Sequence, residues 1–214
     1  MPSNISNGSA GDIHLRSILG LSPNSDVFHA FLQRLSKEAC SPEDDSPVDA
    51  DIKCYPDCLY MNYYSLGLSL MFLAEDGSKT VKAEHAQSEK LRLDSICVHN
   101  ALGPPSRPNS GTQPYSTYPA LPIVLPLLDI SEDRSTEVLV LTAESNGKDI
   151  VSCLGEPSRK GGGSGPLSGS IGIWCEWTKD GIMVEFGGDE ARGPQAWETG
   201  KDAKWKTLTI FEPS

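Results

Sequence analysis

A pair of alternating apolar–polar segments occurs twice in this chain, each time around a turn glycine. DCLYMNYY and GLSLMF flank Gly67, and IGIWCEW and GIMVEF flank Gly181, which stands 114 positions later. The same separation relates Phe72 to Phe186 and, with no gap, Ile96 to Ile210. It also relates Leu59 to Ile173, Tyr60 to Trp174, Tyr63 to Trp177, Leu68 to Ile182, Leu70 to Val184, Leu91 to Trp205 and Ser95 to Thr209. Alternation with period two puts successive side chains on opposite faces of a strand, so each segment reads as half-buried.

A hairpin loop from Thr178 to Gly181, with the glycine in the left-handed conformation that needs no Cβ, sets a testable register. It places Trp177 opposite Ile182, Cys175 opposite Val184 and Ile173 opposite Phe186. The same loop in the first segment pairs Tyr63 with Leu68, Met61 with Leu70 and Leu59 with Phe72. Every pair is apolar and lies on one face, as a sheet with one buried side requires. A third strand follows each hairpin, LRLDSICVHN in the first case and KWKTLTIF in the second.

A helix precedes each sheet. Val27, Phe28, Phe31, Leu32 and Leu35 recur at helical spacing up to about Lys37, with Ser22 or Asn24 as cap candidates and Pro23 in the first turn. Ile150, Val151 and Leu154 share one face of a shorter helix that Gly155 and Pro157 terminate. These two helices align only with a shifted offset of 119 (Leu35 to Leu154). The fold expected is α+β, two tandem copies of a helix followed by a three-stranded antiparallel sheet. Residues 1–11 are read as a disordered tail, 12–100 as the first copy and 138–214 as the second, packed as one domain. Residues 101–137 are read as an extended linker, because seven prolines fall between 101 and 126 and exclude helix or central strand. The acidic stretch from Ser41 to Asp51 and the polar stretch from Glu75 to Lys90 are expected to be loops.

The opposite side of each predicted hairpin carries Tyr60, Asn62, Ser69 and Met71 in the first copy, and Trp174, Glu176, Met183 and Glu185 in the second. Aromatic residues and methionine on a sheet surface are the raw material of binding faces. Tyr60, Met71, Trp174, Met183 and Glu185 are therefore the binding-surface candidates.

Two resemblances follow. A helix with a three-stranded sheet, duplicated, is similar in layout to the β-lactamase-inhibitor-protein and outer-membrane-assembly lipoprotein folds, which are protein-binding modules. Within about residues 57–100, Tyr60, Asn62, Tyr63, Leu66, Gly67, Phe72, Val98, His99 and Asn100 resemble a segment of the phagosome assembly factor family. There an aromatic F-N-Y strand and an L-G turn precede a strand ending L-H-x-N. That resemblance implies a non-enzymatic protein acting with partners on autophagic membranes.

The net charge of −11 opposes binding to nucleic acid or to an anionic membrane surface by charge. The apolar runs are short and interrupted by proline, so an integral membrane protein is not expected. The first residues lack the basic start and apolar core of a signal peptide, which points to a cytoplasmic or nuclear protein with its six cysteines as free thiols.

The motifs that carry chemistry are sparse. Cys54 and Cys58 with His85 lack the paired spacing of structural zinc. Cys58 with His85 or His99 is the one arrangement for a nucleophilic thiol, in acidic surroundings that disfavour the thiolate. Glu176 and Glu185 are a carboxylate pair on one face. Arg159, Lys160, Gly161 and Gly162 open a glycine-rich stretch read as a loop that offers amides and positive charge to an anion, without phosphate-loop spacing. No cofactor or metal and no catalytic set is expected. The reading is a non-enzymatic module that binds a protein through the outward sheet face, or uses that face as an oligomer interface. The alternative is a small enzyme with a pocket between the copies, using Cys58/His85 or Glu176/Glu185.

Overall fold

The computed structural model describes residues 14–39, 49–75, 77, 84, 86, 88–103, 113–129, 136–163 and 172–213. The expected tail over 1–11, His85, and most of the acidic and glycine-rich stretches lie outside the described residues.

The chain forms an α+β structure around one large antiparallel sheet. In chain order come α1 (Asp26–Ala39), β1 (Asp51–Cys54), β2 (Cys58–Tyr63), β3 (Leu68–Ala74), β4 (Leu91–His99), β5 (Ile123–Pro126) and β6 (Val138–Leu141). Then follow α2 (Gly147–Leu154), β7 (Arg159–Gly161), β8 (Trp174–Trp177), β9 (Ile182–Phe186), α3 (Ala196–Thr199) and β10 (Trp205–Phe211). The eight-stranded sheet has the order β1-β2-β3-β4-β10-β9-β8-β7, and β5 and β6 form a separate two-stranded ribbon.

Each half of the sheet therefore has four strands where the sequence pattern implies three. The additional strands β1 and β7 are the two edges. β1 begins at Asp51, the last residue of the stretch expected to be a loop, and β7 comprises Arg159, Lys160 and Gly161, expected to be loop as well. Both are short and largely exposed, so neither carries the alternation that marks a half-buried strand. The linker reading is corrected too: Ile123–Pro126 is a strand, with Pro126 at its end and on a ribbon edge, where a missing N–H donor is tolerated.

The hairpin registers are those the apolar pairs require. Tyr63 faces Leu68, Met61 faces Leu70 and Leu59 faces Phe72, while Trp177 faces Ile182 and Cys175 faces Val184. Phe186 donates its backbone N–H to Ile173 at 2.9 Å, continuing the second ladder. Both turns are single 3-10 turns closed by a left-handed glycine, Gly67 and Gly181, each with φ of 58°.

The third strands are offset differently from the expectation. Met71 faces Ser95 but Phe72 faces Leu93, leaving Asp94 as the extra residue of a bulge. Glu185 faces Thr207 but Phe186 faces Trp205, leaving Lys206 as the extra residue. By ladder position, Leu93 corresponds to Trp205, Ser95 to Thr207 and Val98 to Ile210, a separation of 112. The ungapped pairing of Leu91 with Trp205, Ser95 with Thr209 and Ile96 with Ile210 is two residues out of register. A shift of two leaves a period-two pattern unchanged, so alternation does not detect it.

One face of the sheet is covered by the helices and the ribbon in one continuous core. Phe28, Phe31 and Leu35 of α1 and Ile150 and Leu154 of α2 join Leu59, Leu70, Phe72, Ile96, Val184, Trp205 and Ile210. α1 is capped by Ser25, whose Oγ accepts the Phe28 N–H at 3.2 Å, rather than by Ser22 or Asn24. α2 begins with a reciprocal capping box between Asn146 and Asp149 and ends at Gly155, as its sequence implies. Cys54, Cys58, Cys97 and Cys175 are free thiols. No helix among the described residues is long and apolar enough to cross a membrane.

Candidate functional site

Alternation puts every second residue of the eight strands on the face away from the helices. Ladder by ladder, one row crosses the whole sheet: Asp51, Asn62, Ser69, Cys97, Thr209, Met183, Glu176 and Arg159. A parallel row carries Lys53, Tyr60, Met71, Ser95 and Phe211, and a third carries His99, Thr207, Glu185, Trp174 and Gly161. The binding-surface candidates Tyr60, Met71, Trp174, Met183 and Glu185 thus lie on one continuous face, and all five are half-buried. Where the halves meet, the Cys97 Sγ lies 3.5 Å from the Thr209 Oγ1.

The two halves of this face differ in what covers them. In the first, an extended strap over 113–118 crosses the sheet. Ser116 donates its backbone N–H to the Tyr64 carbonyl at 2.8 Å, and Tyr118 donates to His99 at 2.9 Å. Between them the Tyr115 ring stacks on the His99 ring, with centroids 3.7 Å apart and planes 8° from parallel. The Tyr115 hydroxyl donates to Asn62 Oδ1 at 2.7 Å, and the Ser69 hydroxyl donates to the same oxygen at 2.7 Å. Asn62 in turn donates its amide to the Asp51 carbonyl at 3.0 Å. Asn62 and Ser69 are consequently buried, although they sit on the face away from the core. Burial beneath Tyr115, with Lys206 nearby, lowers the His99 imidazole to about 4, so it is neutral at pH 7. Tyr60 meets Tyr55 edge-on at 5.6 Å.

In the second half the corresponding positions, Glu176, Met183, Thr209 and Phe211, are half-buried. Glu176 lies 3.5 Å from the Arg159 guanidinium, and Glu185 accepts from Lys206 Nζ at 2.9 Å. Each carboxylate has its own cation, so this part of the face is close to electrically neutral. The Trp174 indole lies over Gly161, where a Cβ would collide with its ring. Gly161, read from sequence as part of an anion-binding loop, makes room for that indole.

The remaining candidates scatter. Lys160 points to the helix side, with Nζ 5.7 Å from the centre of the Trp197 ring. Gly162 follows the edge strand with φ of 84°. Because Arg159, Lys160 and Gly161 are held in a strand ladder, their amides are not arranged as a loop around an anion. Cys58 is buried, and burial followed by Asp57 pushes its thiol up, which disfavours the nucleophilic thiolate. A groove of about 380 Å³ lies between Asn100, Thr117, Glu144, Gly187, Glu190 and Lys204. Neither Cys58, Glu176 nor Glu185 lines it. Among the described residues, no group of three or more His, Cys, Asp or Glu is placed to hold a metal ion.

Sequence reasoning missed the strap. Its signal is the pair of tyrosines, Tyr115 and Tyr118, within residues 103–120, which hold no other large apolar residue.

Comparison of the chain with protein-family models, with curated proteins and with solved structures gives no match.

Proposed function

We propose that the protein is a non-enzymatic interaction module that holds a protein partner on the sheet face away from the helices, chiefly on its second half. The observation that carries this reading is the contrast between the halves. The strap buries Asn62 and Ser69 in the first half, while their counterparts Glu176 and Met183, together with Phe211, are half-buried in the second, where Glu176 and Glu185 each have a cation partner. Tryptophan and tyrosine on a rigid sheet lose little side-chain entropy on binding and are enriched among the residues that dominate protein interfaces, and methionine and phenylalanine are enriched at interface cores. The local resemblance over 57–100 to the phagosome assembly factor family points the same way, toward a role exercised with partners.

The sheet is best understood as a duplicated unit of a helix and four strands. The repeated left-handed glycine, hairpin register and single-residue bulge support that reading, and Cys97 faces Thr209, its own counterpart at a separation of 112. Duplication gives two versions of one face, and among the described residues the strap crosses only the first.

The test is affinity capture with wild-type protein beside the Tyr60→Ala, Trp174→Ala double variant, with quantitative mass spectrometry and a matched thermal melt. Partners recovered by the wild type and lost with a folded double variant are expected. Unchanged recovery places the binding surface elsewhere.

A further inference from the structure

The strap shows what kind of group this face accepts. In the first half Tyr115 rests in a cradle of three parts: a planar ring on the fourth strand (His99), an acceptor on the second strand (Asn62 Oδ1), and a floor formed by Ser69 and Cys97 between them. The ring stacks at 3.7 Å and the hydroxyl is satisfied at 2.7 Å.

Ladder positions in the second half reproduce that arrangement. Phe211 follows Thr209 on β10 as His99 follows Cys97 on β4. Thr209 faces Met183, and Met183 faces Glu176, as Cys97 faces Ser69 and Ser69 faces Asn62. A planar ring, an oxygen acceptor and a two-residue floor recur in the same order across the same strands. The two cradles are continuous, since Cys97 and Thr209 touch at 3.5 Å across the centre of the sheet.

Resting on the functional reading above, we propose that the second cradle receives a tyrosine side chain presented by the partner protein. The ring lies on Phe211 over Met183 and Thr209, and the phenol hydroxyl donates to the Glu176 carboxylate. The carboxylate is the stronger acceptor of the two, because an ionised oxygen forms a charge-assisted hydrogen bond. Arg159 already balances its charge, so a neutral phenol suits the site better than a lysine or a phosphorylated tyrosine, whose dianion Glu176 repels. The strap's backbone contacts are not reproduced. Phe211 and Pro213 run past Gly181 where Ser116 and Tyr118 run past Gly67. Recognition in the second half therefore falls on the side chain, and the partner is not required to add a strand.

The probe is a blocked pentapeptide with the strap sequence 113–117, QPYST, titrated into the full ¹⁵N-labelled chain. Versions with the tyrosine replaced by phenylalanine, alanine or phosphotyrosine serve as comparators. Saturable shifts at Glu176, Met183, Thr209 and Phe211, with a dissociation constant on the order of a millimolar, are expected for one buried ring. Loss of the hydroxyl should weaken binding about three- to tenfold. The alanine and phosphotyrosine versions should not saturate. Equal affinity of the tyrosine and alanine peptides, or the absence of saturable shifts at the second cradle, overturns the inference. Shifts confined to Asn62 and His99 also overturn it, because the peptide then only competes with Tyr115. These results separate from the functional reading: if the double variant loses partner recovery while the peptide does not bind, the surface stands and the tyrosine cradle falls. The titration uses the wild-type chain, so no variant's failure to fold affects it.

Discussion

Gly181 closes the second hairpin with φ of 58°, and its carbonyl accepts the Phe211 N–H at 3.0 Å. A Cβ added there falls well inside contact distance of the Phe211 carbonyl oxygen, which belongs to the central strand β10 and has no flexible end to swing away. Gly20 is a control with comparable backbone geometry, at φ of 72° with nothing within 4 Å of the added carbon. Both alanine substitutions incur the left-handed cost, about 1–2 kcal/mol. At Gly181 the forced displacement adds about 1–3 kcal/mol, together with a weakened hydrogen bond of about 0.5–1.5 kcal/mol. Gly181→Ala should therefore destabilise by about 2 kcal/mol more than Gly20→Ala. Urea unfolding followed by tryptophan fluorescence reads the difference as a shift in midpoint at constant slope. Equal midpoints for the two variants would refute the reasoning, because they would mean the turn can move away from β10 at no cost.

Two further outcomes follow from buried polar groups. His99 titrates at about 4 in the folded chain against 6.5 in the unfolded one, so the unfolded state takes up its proton first as pH falls. Its contribution to stability is intact above about pH 6.5, declines as pH drops toward about 4 and then levels off. Urea midpoints measured between pH 7 and pH 4 should show a shallower decline for His99→Gln, and an identical decline in both proteins contradicts the assignment. Asn100 is buried and donates from its amide to the Ala143 and Trp205 carbonyls at 2.9 and 3.0 Å. Asn100→Ala strands both oxygens and should cost about 2–3 kcal/mol by the same unfolding measurement, and a loss below about 0.5 kcal/mol would show that water replaces the amide at no cost.

The hairpins were legible because burial on one face writes itself into every second residue. Alternation puts Leu59, Met61, Tyr63, Leu68, Leu70 and Phe72 on one face, and the turn at Gly67 then fixes their register, as Gly181 does for the counterparts from Ile173 to Phe186. The edges were not legible for the same reason. Asp51–Cys54 and Arg159–Gly161 contact little of the core, so nothing forces their residues to alternate. The bulges at Asp94 and Lys206 each insert one residue and show in the sequence as spacings of three, Leu93 to Ile96 and Trp205 to Leu208, whereas the offset of two between the third strands preserves alternation and leaves no such mark. Tyr60, Met71, Trp174, Met183 and Glu185 share the sheet face away from the helices, as alternation implies, yet the burial of Asn62 and Ser69 on that face depends on Tyr115. That residue lies 53 positions from its acceptor Asn62, and no local pattern specifies where such a strap crosses the sheet.

The position of β10 has a consequence for synthesis. It is the last of the eight strands in chain order, yet it occupies the middle of the sheet between β4 and β9. During translation, four strands and their helix emerge first with β4 as a bare edge, its Leu93, Ile96 and Val98 ready to pair with any available strand. The β8–β9 hairpin then waits with the same deficiency. Only the arrival of Trp205–Phe211 joins the two, so the interval before it is when the nascent chain most needs protection from neighbours. Ribosome proximity and chaperone access thus matter more for this chain than for one whose final strand is an edge.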